Sequence, residues 1–205
     1  MSRGDDSRAA LVEHGTKLML RTGYAGTGLI ELLEAAGVPK GSFYNHFASK
    51  EAFGVELVRR YYDAEDRLLA SLIAQVDRHP LERLRCYFER LRQRAVDAGP
   101  QARGCLLGMF ALEMAGSSEA LREAVSDAFS CWQARMAELL RQAQAAGDLD
   151  PERDPQTLAA MLLEGWEGAL MRSRVTQELD GLRNFIDLAF TQLLVPAGPS
   201  AEAKR

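Results

Sequence analysis

An all-α chain is predicted, with three short helices at the N-terminal end and a larger helical body behind them. Three observations predict it. Apolar residues recur at helical spacing through most of the 205 residues, and no alternating strand pattern of useful length interrupts them. The seven prolines, at 39, 80, 100, 151, 155, 196 and 199, fall where other signals also mark boundaries. Gly23, Gly37, Gly99 and Gly147 stand where helix C-caps are expected.

Taken in order, the first helix is expected over 5–22, with Asp5, Asp6 and Ser7 available to cap it. The second runs over 28–36, capped by Thr27 and closed by Gly37, and the third over 40–47, opened by Pro39. A long helix follows over 49–76, capped by Ser49. At about 1.5 Å per residue it spans roughly 40 Å and forms a mechanical link between the two zones. Further helices are expected over 80–98, 104–115, 118–146, 154–176 (capped by Asp154) and 179–194. The tail "PAGPSAEAKR" is small and polar and is read as disordered. The domain boundaries are therefore set at 1–48, 49–195 and 196–205, and no internal repeat is present.

A mass of 22.6 kDa with 47% hydrophobic and 26% charged residues describes a globular chain able to bury a core. No apolar run approaches the roughly 18 residues of a spanning helix, and "MSRGDDSRAALVE" has no apolar signal core. A cytoplasmic protein is expected. Cys86, Cys105 and Cys131 are too few and too scattered for a disulfide framework or a metal knuckle, so reduced thiols are expected and no metal or cofactor is implied.

The net charge of −4 argues against indiscriminate coating of nucleic acid. The charge is uneven, however. Residues 1–60 hold eight Lys or Arg against seven Asp or Glu, and the remainder seventeen against twenty-two. Between Gly37 and Lys50 stand Lys40, His46 and Lys50 and no acid.

That bias falls within "EAAGVPKGSFYNHFASKEAF", Glu34 to Phe53. Leu29, Leu32 and Leu33 give the preceding helix an apolar face, and Phe43 and Phe47, four apart, give the next one an inward stripe. Lys40, Ser42, Tyr44, Asn45 and His46 are left facing outward or at the edge of that stripe. Two short helices joined by a tight Gly turn, the second presenting polar groups and a bare Gly41, form a helix-turn-helix. Lys40 and Ser42 sit where such helices reach base edges, while Tyr44, His46 and Lys50 suit phosphate oxygens. On spacing alone, a plain αα-hairpin with a solvated face remains the alternative.

The run "GYAGTGLIELLEAAGVPKGSFYNHFASKEAF" resembles the DNA-binding region of the TetR family of bacterial repressors, over about Leu11 to Tyr62. The resemblance implies double-stranded operator DNA as partner, with Thr27, Lys40, Gly41, Ser42, Tyr44, Asn45, His46 and Lys50 on DNA-facing positions. Gly28 departs from the pattern, where a second hydroxyl residue is common.

In the body, the helices over 154–176 and 179–194 are unusually apolar, the second around most of its circumference. One reading is core packing within one chain. The other, which the resemblance also implies, is a two-fold four-helix seam with a second copy, built from Leu158, Leu162, Gly165, Ala169, Phe185, Ile186, Ala189 and Phe190. Gly165 and Gly168 would let helices cross closely. An apolar small-molecule effector site is expected from Tyr87, Phe88, Met109, Phe110, Phe129, Trp132 and Trp166, against the alternative that each merely fills the core. Cys105 lies at a helix start beside Arg103, where a thiolate is favoured; the "GCL" start resembles the electrophile-sensing branch of the family. Arg174 is a candidate basic partner for it. Cys86 and Cys131, mid-helix, are expected to be buried and inert. The function expected is a dimeric repressor released by an electrophile sensed at Cys105, or by a reversible apolar ligand with Cys105 only packed. An enzyme is disfavoured: His14, His46 and His79 form no metal-spaced pair, and no nucleophile elbow or phosphate loop is present.

Overall fold

In the computed structural model, residues 3–102 and 104–196 are described, the side chains of residues 3–5, 101 and 102 excepted. Arg103 and most of the expected tail, 197–205, lie outside the described residues. Nine α-helices occur among the described residues: α1 (Arg3–Gly26), α2 (Leu29–Ala36), α3 (Phe43–His46), α4 (Lys50–Ile73), α5 (Pro80–Ala102), α6 (Leu106–Met114), α7 (Glu119–Ala145), α8 (Pro155–Thr176) and α9 (Asp180–Leu188). A 3-10 turn, Lys40–Ser42, runs into α3, and a π-helical turn, Ala189–Leu193, extends α9. No strand occurs among the described residues.

The expected helices are all present, and several of their ends behave as expected. Asp154 accepts from the Gln156 and Thr157 amides at the start of α8, and Ser49 Oγ accepts from the Ala52 amide in α4. Gly37 takes a left-handed φ of 64°, and its amide and that of Val38 reach back to the Glu34 and Leu33 carbonyls. Other ends differ. Asp6 and Ser7 lie inside α1 rather than before it. Gly23 does not end α1 with a left-handed cap; it breaks the helix at φ 78°, ψ 172°. Only a residue without Cβ tolerates this: a Cβ there would stand 2.2 Å from Glu113 Oε1.

The chain divides into two compact units, residues 1–65 with 98–130, and residues 66–97 with 131–205. The first contains α1 to α3, α6 and parts of α4, α5 and α7. Its core holds Leu11, Met19, Leu32, Leu33, Phe43, Phe53, Leu57, Leu106 and Phe110, all nearly inaccessible. The second unit is built on Leu84, Tyr87, Phe88, Trp132, Met136, Leu162, Trp166, Leu182 and Ile186. There Arg83, 3% exposed, donates to the Ile73 carbonyl at the end of α4 and to Gln142 Oε1 of α7. No helix among the described residues is long and apolar enough to cross a membrane.

Candidate nucleic-acid interface and helical body

Phe43 and Phe47 anchor the candidate reading helix. Their rings lie 5.5 Å apart, and both face Phe53 of α4 at 5.5 and 4.8 Å. With that stripe buried, Lys40, Gly41, Tyr44 and Asn45 are exposed, Tyr44 to 65%, while Ser42 and His46 are half-buried. Nothing stands within 4 Å of where a Gly41 Cβ would project. The outward set expected from sequence is thus one contiguous polar surface, preceded by the Gly37 turn. Six of the eight expected residues belong to it.

Thr27 and Lys50 do not, and both expectations are corrected. Thr27 is 2% exposed; its hydroxyl donates to the Gly23 carbonyl at 2.7 Å and meets Thr22 Oγ1 at 2.8 Å. It neither caps α2 nor faces outward, because the break at Gly23 leaves a carbonyl for it to satisfy. Lys50 Nζ donates to the carbonyls of Tyr24 and Thr27 at 2.7 and 2.6 Å and sits 4.6 Å from the Tyr24 ring centre. Burial holds its pKa below the usual lysine value, opposed by the Glu113 carboxylate. The ammonium clamps the α1–α2 junction.

The expected effector residues fall into both units. In the first, Cys105 is 5% exposed and is the N-cap residue of α6. Phe110 is fully buried, its ring edge-on to Tyr24 at 5.3 Å and close to Gly54, so it packs α6 against α1 and α4. Met109 and Phe129 are half-buried. In the second unit, Tyr87 faces Trp132 at 6.3 Å, and Phe88 faces Trp166, Phe185 and Phe190 at 5.5, 5.3 and 6.2 Å. Arg174 is half-buried. Two surface clefts, of about 320 and 470 Å³, are lined by none of these residues. Cys131 is exposed and Cys86 half-buried, contrary to the expectation that both are buried.

Part of the expected seam is already covered within one chain. Leu158, Leu162, Ile186 and Ala189 are 5%, 0%, 0% and 4% exposed within one chain, and Phe185, Phe190 and Ala169 are half-buried. Gly165 serves the contact between α8 and α9 of the same chain: a Cβ there would stand 2.8 Å from Phe185. The apolar residues left uncovered are Met161, Met171 and Val175 on α8 and Leu188 on α9, at 49%, 59%, 81% and 54% exposure. Their signal was a second apolar stripe on α8, at 161, 168, 171 and 175, opposite the buried one. Glu113 was also missed: its carboxylate accepts from the Ala25 amide at 2.8 Å across 88 residues of chain.

Residues 11–57 match the family model described as bacterial regulatory proteins, tetR family. Residues 80–189 match that of the tetracyclin repressor-like C-terminal domain. Among curated proteins, the chain is 33% identical to the HTH-type transcriptional repressor DhaR of Mycobacterium sp. (strain GP1), covering 95% of this chain and 94% of that one. It is 37% identical to the transcriptional regulator AcuR of Cereibacter sphaeroides, over 86% and 80%. Among solved structures, the reduced form of E. coli NemR superposes with a TM-score of 0.83 at 30% identity, over 96% of this chain and all of that one.

Proposed function

The chain belongs to the tetR family of bacterial regulatory proteins, and from that premise we propose which of its residues carry a ligand-responsive transcriptional repressor's work. The observation that carries the assignment is the row Lys40, Gly41, Ser42, Tyr44, Asn45 and His46, turned outward by Phe43 and Phe47 packing on Phe53. In this reading residues 1–48 read DNA and 49–195 receive the effector and pair with a second copy. Two copies present two reading helices to the half-sites of a palindrome. The protein acts in the cytoplasm, and no catalytic step is assigned to it.

Gel shift on a duplex from the protein's own upstream region, at two salt concentrations, tests the assignment. The wild type gives a discrete complex that salt weakens. Tyr44→Phe weakens it on every sequence, by removing a phosphate partner. Lys40→Ala and Ser42→Ala change the preferred sequence, each by about 1–3 kcal/mol at the base contacted. Wild-type behaviour in all three variants would place the DNA surface elsewhere.

The pairing surface follows the uncovered stripe: Met161, Met171, Val175 and Leu188 meet their copies across a two-fold axis, with Gly168, where a Cβ would meet nothing within 4 Å, allowing close approach.

Effector release operates through Cys105 in this reading. The support is its place as N-cap of the nine-residue α6, whose other end touches the α1–α2 junction. E. coli NemR, similar to this chain over nearly its whole length, is known in a reduced form, so redox state is a variable for that protein. Burial of Cys105 sets the order of reaction: N-ethylmaleimide modifies exposed Cys131 first, without releasing DNA, and release tracks the later adduct on Cys105 by mass spectrometry. Cys105→Ser retains DNA binding and loses release. Normal release of that variant by N-ethylmaleimide would move the sensor to Cys86 or Cys131, and release with no adduct on Cys105 would assign the signal to a reversible apolar ligand.

A further inference from the structure

The α1–α2 junction is held by groups that the DNA-reading surface does not use. Gly23 breaks α1, and the amide of Ala25 beyond the break donates to Glu113 Oε2 of α6 at 2.8 Å. The carbonyls of Tyr24 and Thr27, on the same five-residue stretch, are held by Lys50 at the start of α4. Lys50 in turn feels the Glu113 charge. Four residues past α6, Ser118 caps α7 by accepting from the Leu121 amide, and its hydroxyl also donates to Glu51 Oε1. Glu51 is the second residue of α4. The short stretch Glu113–Ser118 therefore touches the reading head twice, once at the α1–α2 junction and once at the first turn of α4. Between these points Phe110 packs on Tyr24, and Gly54 lies so close that a Cβ there would stand 2.9 Å from Tyr24 and 3.5 Å from Phe110.

We infer that the α6–α7 turn, Glu113 to Ser118, is a two-point latch that fixes the orientation of the reading helix, with Glu113 as its positioning residue. The inference rests on the repressor reading above and specifies where that reading's signal enters the DNA-binding unit. The α2–turn–α3 segment is short and is set by the direction in which the chain leaves α1. That direction is decided at the Gly23 break, where the backbone leaves helical φ/ψ. Glu113 supplies an acceptor for the Ala25 amide just past the break, and Lys50 supplies donors for the Tyr24 and Thr27 carbonyls on either side of the end of α1. A carboxylate on α6 thus holds the backbone just past the kink of α1. Withdrawal of α6 by a fraction of a helical turn removes that acceptor and frees the junction to swing.

The experiment uses the full-length protein and the upstream duplex, comparing wild type with Glu113→Ala, Glu113→Gln and Glu51→Gln. Glu113→Ala is expected to weaken the complex about tenfold, the effect of one charge-assisted hydrogen bond. Its salt slope stays that of wild type, since no phosphate contact is lost. Glu113→Gln, which keeps an acceptor oxygen, falls between the two. Amide exchange at Ala25, read by NMR, accelerates in Glu113→Ala and not in Glu51→Gln, while the melting midpoints stay together. Glu51→Gln weakens the complex independently of Glu113, through the second point. Wild-type affinity in Glu113→Ala overturns the latch. So does tighter binding, which would mean that the carboxylate competes with a DNA phosphate for the Ala25 amide. Absence of a discrete complex with the wild type is a different failure: it removes the repressor reading itself, and the latch with it.

Discussion

Ile186→Glu will unfold the protein, and Val175→Glu will leave it folded but split the pair. Ile186 is fully buried beneath α9 and shares that face with Leu182. An unpaired carboxylate there costs several kcal/mol, a large share of the roughly 5–15 kcal/mol that separates folded from unfolded states. Val175 is 81% exposed, and a surface substitution of that kind changes the stability of one chain by about 0.5 kcal/mol or less. Its charge matters only when a second copy covers it. Circular dichroism and sedimentation velocity on both variants separate the two effects. Met171→Glu should repeat the Val175 result, since Met171 lies one helical turn before Val175 and is also exposed. A folded, monomeric Ile186→Glu, or a dimeric Val175→Glu, would return the seam to the residues first expected from the sequence.

Lys50→Ala will lower stability by about 2 kcal/mol. Each hydrogen bond from a charged donor contributes on the order of 1.5–3 kcal/mol, reduced here because the ammonium is only part-buried. For a chain of this length that is a fall of roughly 4–8 °C in the melting midpoint. The sequence alone suggested something else for this residue: unchanged stability and a salt slope reduced by about one unit through loss of a phosphate contact. Melting curves and salt-dependent gel shifts discriminate between the two directly. Lys50→Met, which keeps the stem over Tyr24 but not the donors, should lose nearly as much.

What was legible in the sequence is what repeats along it. The helices were readable because apolar residues recur every three to four positions and because caps such as Ser49, Asp154 and Gly37 act within a few residues of themselves. The outward row from Lys40 to His46 was readable for the same reason, once Phe43 and Phe47 identified the inward stripe. The failures share a different cause. Whether Thr27 points to solvent depends on a carbonyl freed at Gly23, and whether Lys50 is free depends on carbonyls 23 and 26 residues earlier. Glu113 resembles any other exposed acid until the fold brings it to Ala25. On α8 the sequence offered two apolar stripes, and periodicity alone does not say which one a chain buries against itself. Trp166 went inward because α5 and α9 supply partners of matching bulk, Phe88 and Phe185.

The aromatic triangle of Phe43, Phe47 and Phe53 also dictates an order of events during synthesis. The 3-10 turn and α3 together span only seven residues, Lys40–His46. Isolated helices below about 12–15 residues are marginal in water, so this segment has no shape of its own as it leaves the ribosome. Two corners of the triangle emerge early, but the third, Phe53, belongs to α4 and follows later. Gly15 and Leu32 also pack on or near Phe53, whose ring a Cβ at position 15 would strike at 2.5 Å. Until α4 has been made, α1 and α2 lack the same ring. The proposed DNA-reading surface is therefore translated within the first quarter of the chain and takes form only once the following helix arrives.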